Sequence, residues 1–286
     1  MAQAVIKNAI ELEAIREGGK ILAGILRTLV SRVKSGVTTA ELDREAERLM
    51  REAGGEPSFK GYHSGGPVPF PSTICASLNE EVVHAPAVPS RTLKAGDIFK
   101  IDIGMRWPGE KLRMENATAF GGVSLMAAKN GEWRMLSDGL CTDMAVSVVV
   151  GKMSPESQRL LDTTRKALEA GIAVVRDGAR VSDIGKAVEA VVKKQGYGIV
   201  RDMVGHGVGY GVHEKPEIPN FWRKGLRDNI LKEGMVICIE PMVNLGTHQI
   251  GMLDDQWTMV TADKSLSAHF EHTIIVRRDH GEVVTL

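Results

Sequence analysis

Lys94-Ala-Gly-Asp-Ile-Phe-Lys-Ile-Asp102 recurs later in the chain as Lys232-Glu-Gly-Met-Val-Ile-Cys-Ile-Glu240. Each copy opens on Lys-x-Gly, a turn signal, runs through a short apolar stretch of strand character, and ends on a carboxylate at the same place. A second pair of segments follows the same order. Gly36-Val-Thr-Thr-Ala-Glu-Leu-Asp-Arg-Glu-Ala-Glu47 resembles Gly178-Ala-Arg-Val-Ser-Asp-Ile-Gly-Lys-Ala-Val-Glu189, and the helices they begin end at Gly54 and Gly196. Chance likeness between amphipathic helices would explain that second pair taken alone. It explains less well two strands that both finish on an acid. The chain therefore reads as two half-domains related by a pseudo-two-fold, with Asp102 and Glu240 brought to one axis.

The rest of the pattern mixes amphipathic helices with short strand-like runs. Residues 10–33 carry apolar positions at helical spacing, as one helix or a pair. Thr38-Thr39-Ala-Glu41 is a capping-box start for a helix through Met50. Gly61 to Pro71 is loop. Strands are expected at Thr73–Ser77, Asp97–Ile103, Met144–Val150, Met235–Ile239, Gln256–Val260 and His272–Val276, with helices at about 154–176 and 181–195. Residues 107–136 follow neither period. Pro108-Gly109 and Gly121-Gly122 mark turns there, while Val123-Ser-Leu-Met-Ala127 and Trp133-Arg-Met-Leu136 are apolar enough to pack. Residues 1–286 read as one domain, and the stretch at about 107–136 is expected to form a β-hairpin flap lying over it.

Composition narrows the function classes. The 286 residues carry 36 basic and 36 acidic side chains, so no net charge recommends a nucleic acid or an anionic membrane as partner. The three cysteines, Cys75, Cys141 and Cys238, form no CxxC and suit a reducing compartment. The first thirty residues mix charge with apolar positions, so neither a signal peptide nor a membrane span is expected. The expected location is the cytoplasm.

Val204-Gly-His-Gly-Val-Gly-Tyr-Gly-Val-His-Glu-Lys-Pro216 concentrates glycines around two histidines, His206 and His213. It lacks the Lys-Ser/Thr ending of a phosphate cradle and the GxGxxG opening of a dinucleotide site. Imidazole beside permissive backbone points to a metal or a reacting carbonyl, against the plainer reading of a turn with surface histidines. The acids at strand ends are Asp102, Asp143, Glu240 and Glu271. With His206 they make a hard, oxygen-rich set that suits two divalent ions better than one tetrahedral zinc. Buried together without cations they would cost several kcal/mol each. His84 and His213 are the candidates to hold a carbonyl and its developing charge, although spacing alone leaves His84 equally readable as a core or surface histidine.

These segments resemble the methionine aminopeptidases of bacterial type I, and the resemblance implies their α+β pita-bread fold, a pseudo-two-fold repeat of antiparallel sheet with helices packed on the outer face. The resemblance spans nearly the whole chain. It rests on Gly205–Pro216, Ile239-Glu-Pro-Met242, Ser265-Leu-Ser-Ala-His-Phe-Glu-His-Thr273, Lys100-Ile-Asp-Ile-Gly104 and Thr142-Asp-Met-Ala145. It implies Asp102, Asp143, His206, Glu240 and Glu271 as ligands of two divalent ions (Co, Mn, Fe or Zn). Glu240 would double as proton shuttle. His84 and His213 would contact the substrate peptide, and Tyr62, Cys75 and Trp257 would line the methionine pocket. Val212 stands where the bacterial enzymes often have a bulkier aromatic. The substrates implied are nascent peptide N-termini with a small second residue, met by a monomer in transient contact with the ribosome. The eukaryotic type I form, with its N-terminal zinc-binding extension, is not the one expected.

One departure concerns the second aspartate. The family holds its two aspartates close on adjoining strands, whereas a long segment separates Asp102 from Asp143. Glu115-Asn-Ala-Thr-Ala-Phe120 lies between them and loosely mimics the second motif. Asp143 is the better match, because Gly139-Leu-Cys-Thr-Asp-Met-Ala-Val146 leads straight into a strand. The rivals are a proline-specific peptidase of the same fold and an inactive binding protein. The first usually needs an additional N-terminal domain; the second typically lacks several of the five ligands.

Overall fold

The computed structural model describes residues 5–109, 125–127, 133–135, 139–226 and 228–286, the strands at 125–127 and 133–135 by their backbone. One helix, Ala9–Arg32, fills the first amphipathic stretch, begun by a capping box between Asn8 and Glu11. The next, Thr39–Glu52, starts at the expected box. Glu41 Oε2 accepts from the Thr38 N–H at 2.7 Å, and Thr38 Oγ1 accepts from the Glu41 N–H at 3.3 Å. Helices Pro155–Ala173 and Val181–Lys193 repeat the arrangement. Both stop two to three residues before the expected ends.

The internal repeat is written into the backbone. Gly36 N–H donates to the Leu93 carbonyl at 2.9 Å, and Gly178 N–H to that of Leu231 at 3.0 Å. Thr39 donates to Arg91 as Val181 donates to Asn229, and Gly96 to Val150 as Gly234 to Val276. Gly36 and Gly178 both lie in the left-handed region, at φ 92° and 79°. That region is open to glycine at no steric cost, so the same turn recurs on the same residue.

In the first half, the Ile98–Trp107 strand carries Ile74–Leu78 on one edge and Leu140–Val149 on the other, all antiparallel. Alternation along it separates two faces. Phe99, Ile101 and Ile103 pack under Leu22, Leu26 and Leu42 of the two N-terminal helices. Lys100 and Asp102 face the other way. The second half repeats the order, with Gly205–Gly207 and His272–Val276 flanking Val236–Ile239. Ile237, Ile239 and Ile274 pack under Leu160, Leu168 and Val188, while Cys238 and Glu240 face the first half. Helices thus cover each sheet outside, and the polar faces meet inside. The two half-domains are those the repeat predicts, and their α+β arrangement is the pita-bread fold that the resemblance implied.

One strand is displaced from its expected place. The strand foreseen at Gln256–Val260 is Met259–Thr261. Asp255 Oδ1 accepts from the N–H groups of Trp257 and Thr258 at 3.0 and 2.8 Å, so a side-chain-capped turn replaces its start. Within the insertion, Leu125–Ala127 and Trp133–Met135 pair antiparallel, the hairpin pairing expected there. Glu115 lies outside the described residues.

Candidate metal centre and substrate cavity

The strand register brings the aspartates together. Asp102 pairs with Ala145 and Asp143 with Gly104, so both side chains are on one face as diagonal neighbours. Their carboxyls are close enough for the charge of Asp102 to act on Asp143. Glu240 follows the Val236–Ile239 strand, and Glu271 bridges across to Ala145 in the first half. His206 sits in the short Gly205–Gly207 strand. Its glycines are needed for close approach. A Cβ on Gly205 would lie 2.3 Å from the Cys238 carbonyl oxygen, and one on Gly207 2.5 Å from that of Lys215. All five expected ligands are thereby buried in one place.

Ligand atoms of Asp143, His206, Cys238 and Glu271 lie within 4.8 Å of one another, as do those of Glu240, His269 and Glu271. His206 Nδ1 is 3.0 Å from the Gly207 carbonyl, to which it donates. That tautomer leaves Nε2 with a free lone pair, 3.4 Å from Glu240 Oε1. Burial pushes the His206 imidazole down to about 3 and His84 to about 4, so both are neutral donors of lone pairs at ordinary pH. The acids move the opposite way. Burial, then the charges of Glu271, Asp102 and Glu240, raise Asp143 well above the carboxylate range. Burial and Asp102 do the same to Glu240, and burial, Glu240 and Asp102 to Glu271.

Asp102 Oδ1, Asp143 Oδ1 and Glu271 Oε1 are buried without a hydrogen-bond partner. Orphaned carboxylate oxygens at this density are stable only with cations or protons. The donor set, four carboxylates and an imidazole, suits divalent ions. The residues fit such a group.

Beside the acids opens a cavity of about 330 Å³. His84, His213, Val212, Tyr62, Cys75 and Trp257 all line it. Its far wall is aromatic: Phe70 stacks edge-on against both Phe59 and Trp257, at 6.4 and 5.2 Å between ring centres. Tyr62 Oη is 2.7 Å from His213 Nδ1, and the His213 ring meets that of His206 at 4.4 Å. His84 holds φ 60°, a left-handed backbone that a non-glycine adopts at a cost of ~1–3 kcal/mol and that clusters at functional sites.

Some residues escaped the sequence reading. His269 is buried with Nε2 3.5 Å from Glu240 Oε2 and within reach of the Asp102 charge; its signal was the alternation His269-x-Glu271. Lys100 is fully buried, pushed down to about 7 by burial, and donates to the Asn79 and Ser267 carbonyls at 2.9 and 3.0 Å. Thr273 Oγ1 accepts from the Asp143 N–H at 2.9 Å and donates to its carbonyl at 2.7 Å. The last two fasten one half to the other.

The profile of metallopeptidase family M24 matches residues 13–115 and 133–278, leaving out part of the insertion. The methionine aminopeptidase of Clostridium acetobutylicum is 38% identical over 282 residues, which cover 99% of this chain and 98% of that protein. Methionine aminopeptidase 1 of Bacillus subtilis is 37% identical, with 98% of each chain covered. The crystal structure of the Rickettsia prowazekii methionine aminopeptidase superposes with a TM-score of 0.83 at 33% identity, over 99% of this chain and 100% of that one. A prolidase from Pyrococcus furiosus shares the fold alone, at 19% identity and a TM-score of 0.68. The chain belongs to metallopeptidase family M24, among its methionine aminopeptidases.

Proposed function

We propose that the chain removes the N-terminal methionine from peptides whose second residue is small, using two divalent ions drawn from Co, Mn, Fe and Zn. The observation that carries this reading is the cavity itself, with orphaned carboxylates at one end and an aromatic wall at the other. Asp102, Asp143, His206, Glu240 and Glu271 would hold the ions. When bound, they would supply a water acidified to react near neutral pH and charge to polarise the peptide carbonyl.

The chain's own groups do the rest. Tyr62, Cys75 and Trp257 enclose the methionine side chain against the Phe59–Phe70 wall. Glu240 takes a proton from the attacking water and returns it to the departing amine as the peptide C–N bond breaks. With the Tyr62 hydroxyl donating to Nδ1, His213 keeps its proton on Nε2. His213 and His84 then donate to the substrate carbonyl and stabilise the charge that builds on its oxygen. Val212 leaves more room at the rim than an aromatic would.

The unit is one catalytic domain, with the 107–136 segment as an insertion rather than a second domain. Its partners are nascent peptide N-termini, and a transient ribosome contact is part of the reading. We place the enzyme in the cytoplasm, in keeping with three cysteines spread along the chain with no CxxC, and read it as a monomer. No helix among the described residues is long and apolar enough to cross a membrane. The test compares Met-Ala-Ser, Met-Lys-Ser and Ala-Pro peptides with metal-loaded protein. Only the first should be cut, and equal cleavage of the first two would refute the size rule. His213→Ala should keep its metal and lose turnover; emptying of the metal site would refute its role.

A further inference from the structure

His269 ends the Ser267–His269 strand and is 1% exposed, yet neither ring nitrogen has a hydrogen-bond partner. A neutral imidazole carries one N–H, and leaving a buried donor unpaired costs ~1–3 kcal/mol. The ring is nonetheless held in place. Ser147 Oγ accepts from the His269 N–H at 2.8 Å and donates to its carbonyl at 2.7 Å. The backbone is thus pinned to the Asp143 strand, and a ring nitrogen is directed at the acids.

The distances say what the ring is directed at. His269 Nε2 lies 3.5 Å from Glu240 Oε2, and His206 Nε2 lies 3.4 Å from Glu240 Oε1. Each oxygen of one carboxylate therefore faces its own imidazole. Both separations exceed the ~2.7–2.9 Å of a charge-assisted hydrogen bond. They are close to the ~3.0–3.4 Å between neighbouring ligand atoms that each sit about 2.1 Å from one ion. A ring nitrogen of His269 also lies within 4.8 Å of carboxylate oxygens of both Glu240 and Glu271. The clusters around His206 and around His269 share Glu271.

We propose that His269 is a sixth protein ligand of the metal centre. His206 serves one ion and His269 the other, with Glu240 reaching toward both. This rests on the two-ion reading above and goes beyond it, because that reading gives the ions a single histidine. A second imidazole moves the second position away from an all-oxygen site, which suits Mg²⁺ and Ca²⁺, toward Mn²⁺, Fe²⁺, Co²⁺ and Zn²⁺.

The test titrates metal-free protein with Mn²⁺ or Co²⁺ by calorimetry, and follows the visible absorption of the Co²⁺ form. Wild type, His206→Ala, His269→Ala and His269→Gln are compared, with circular dichroism as the check on folding. Wild type should take up two ions. His206→Ala should weaken one by at least ~10-fold and His269→Ala the other, with a changed Co²⁺ spectrum in each. His269→Gln, which keeps a polar group but no imidazole nitrogen, should also bind its ion more weakly, and it decides the matter if the alanine variant does not fold. Two ions bound by both His269 variants with wild-type affinity and spectrum would overturn the proposal, whatever happens to turnover. Wild type taking up one ion or none would instead overturn the two-ion reading beneath it.

Discussion

The two halves present acids to the same centre in different ways. In the first, Asp102 and Asp143 lie inside an unbroken ladder that runs from Ile98 opposite Val149 to Trp107 opposite Leu140. In the second, the corresponding ladder is cut in two. Val236–Ile239 pairs with His272–Val276 in one sheet, and Met242–Asn244 with Ser267–His269 in another. The cuts fall at Glu240-Pro241 and Phe270-Glu271. Pro241 has no N–H to give, so the ladder does not pass it. The groups released find partners elsewhere: the Glu240 carbonyl accepts from Asn220 Nδ2 at 3.0 Å, and Glu271 N–H donates to Ala145 of the first half at 3.0 Å. One half is a rigid face that displays carboxylates. The other is a corner whose carboxylates also join the halves.

The largest expected effect strikes the corner. Glu240→Ala removes a ligand and the proton carrier together, so kcat/KM should fall by ~10³-fold or more, about 4 kcal/mol, with metal lost by elemental analysis. Asp143→Ala should also lose metal, whereas Glu115→Ala should keep both metal and activity. The reverse pattern would put the second aspartate in the insertion.

Next comes the joint between the halves. Thr273→Val keeps the shape but strands the buried N–H and carbonyl of Asp143, so denaturant unfolding should show a loss of ~2–4 kcal/mol. A loss under ~1 kcal/mol would mean the halves are held by packing alone.

pH sharpens the comparison further. Asp143, Glu240 and Glu271 are raised in the folded, metal-free protein, so they hold protons that the unfolded chain has given up. Their contribution to stability is present below ordinary carboxylate values and is lost as pH rises through the raised ones. The histidines run opposite. His206 at about 3 and His84 and His269 at about 4 favour folding above ~6.5, and that is lost as pH falls toward those values. Ions bind only to deprotonated acids, so Mn²⁺ affinity should rise by up to ~10-fold per pH unit for each proton displaced between pH 5 and 7. Calorimetry in buffers of different ionisation heat should show the protons released, and a pH-independent affinity would contradict the raised acids.

The smallest effect belongs to the insertion. Replacing 110–138 with a short glycine-containing turn should leave a folded, metal-binding protein whose stability changes by ~1 kcal/mol or less, since loop closure grows only as ~0.6 kcal/mol per doubling of length. A protein that no longer folds or binds metal would show the insertion to be part of the first half's sheet.

Much of this was legible in one dimension. The capping box at Thr38, the glycines of the repeat and the acids closing matched strands are local signals, and local chemistry set them. The strand placed over Trp257 failed because Asp255 bends the backbone there, a competition between side chain and ladder that periodicity does not register. His269 went unassigned because nothing about one histidine in a strand says what lies opposite.

What the sequence alone determined is the twofold plan, the helical coats, and the set of acids and imidazoles that could meet. Periodicity and turn chemistry act over a few residues, and they are enough for that. Only the tertiary structure decided which groups do meet. Asp143 joins Asp102 by a diagonal register across a ladder spanning the insertion. His269 faces Glu240 because a proline breaks one sheet and a serine pins another. Those outcomes depend on pairing and burial between residues far apart in the chain, and such contacts leave no period behind.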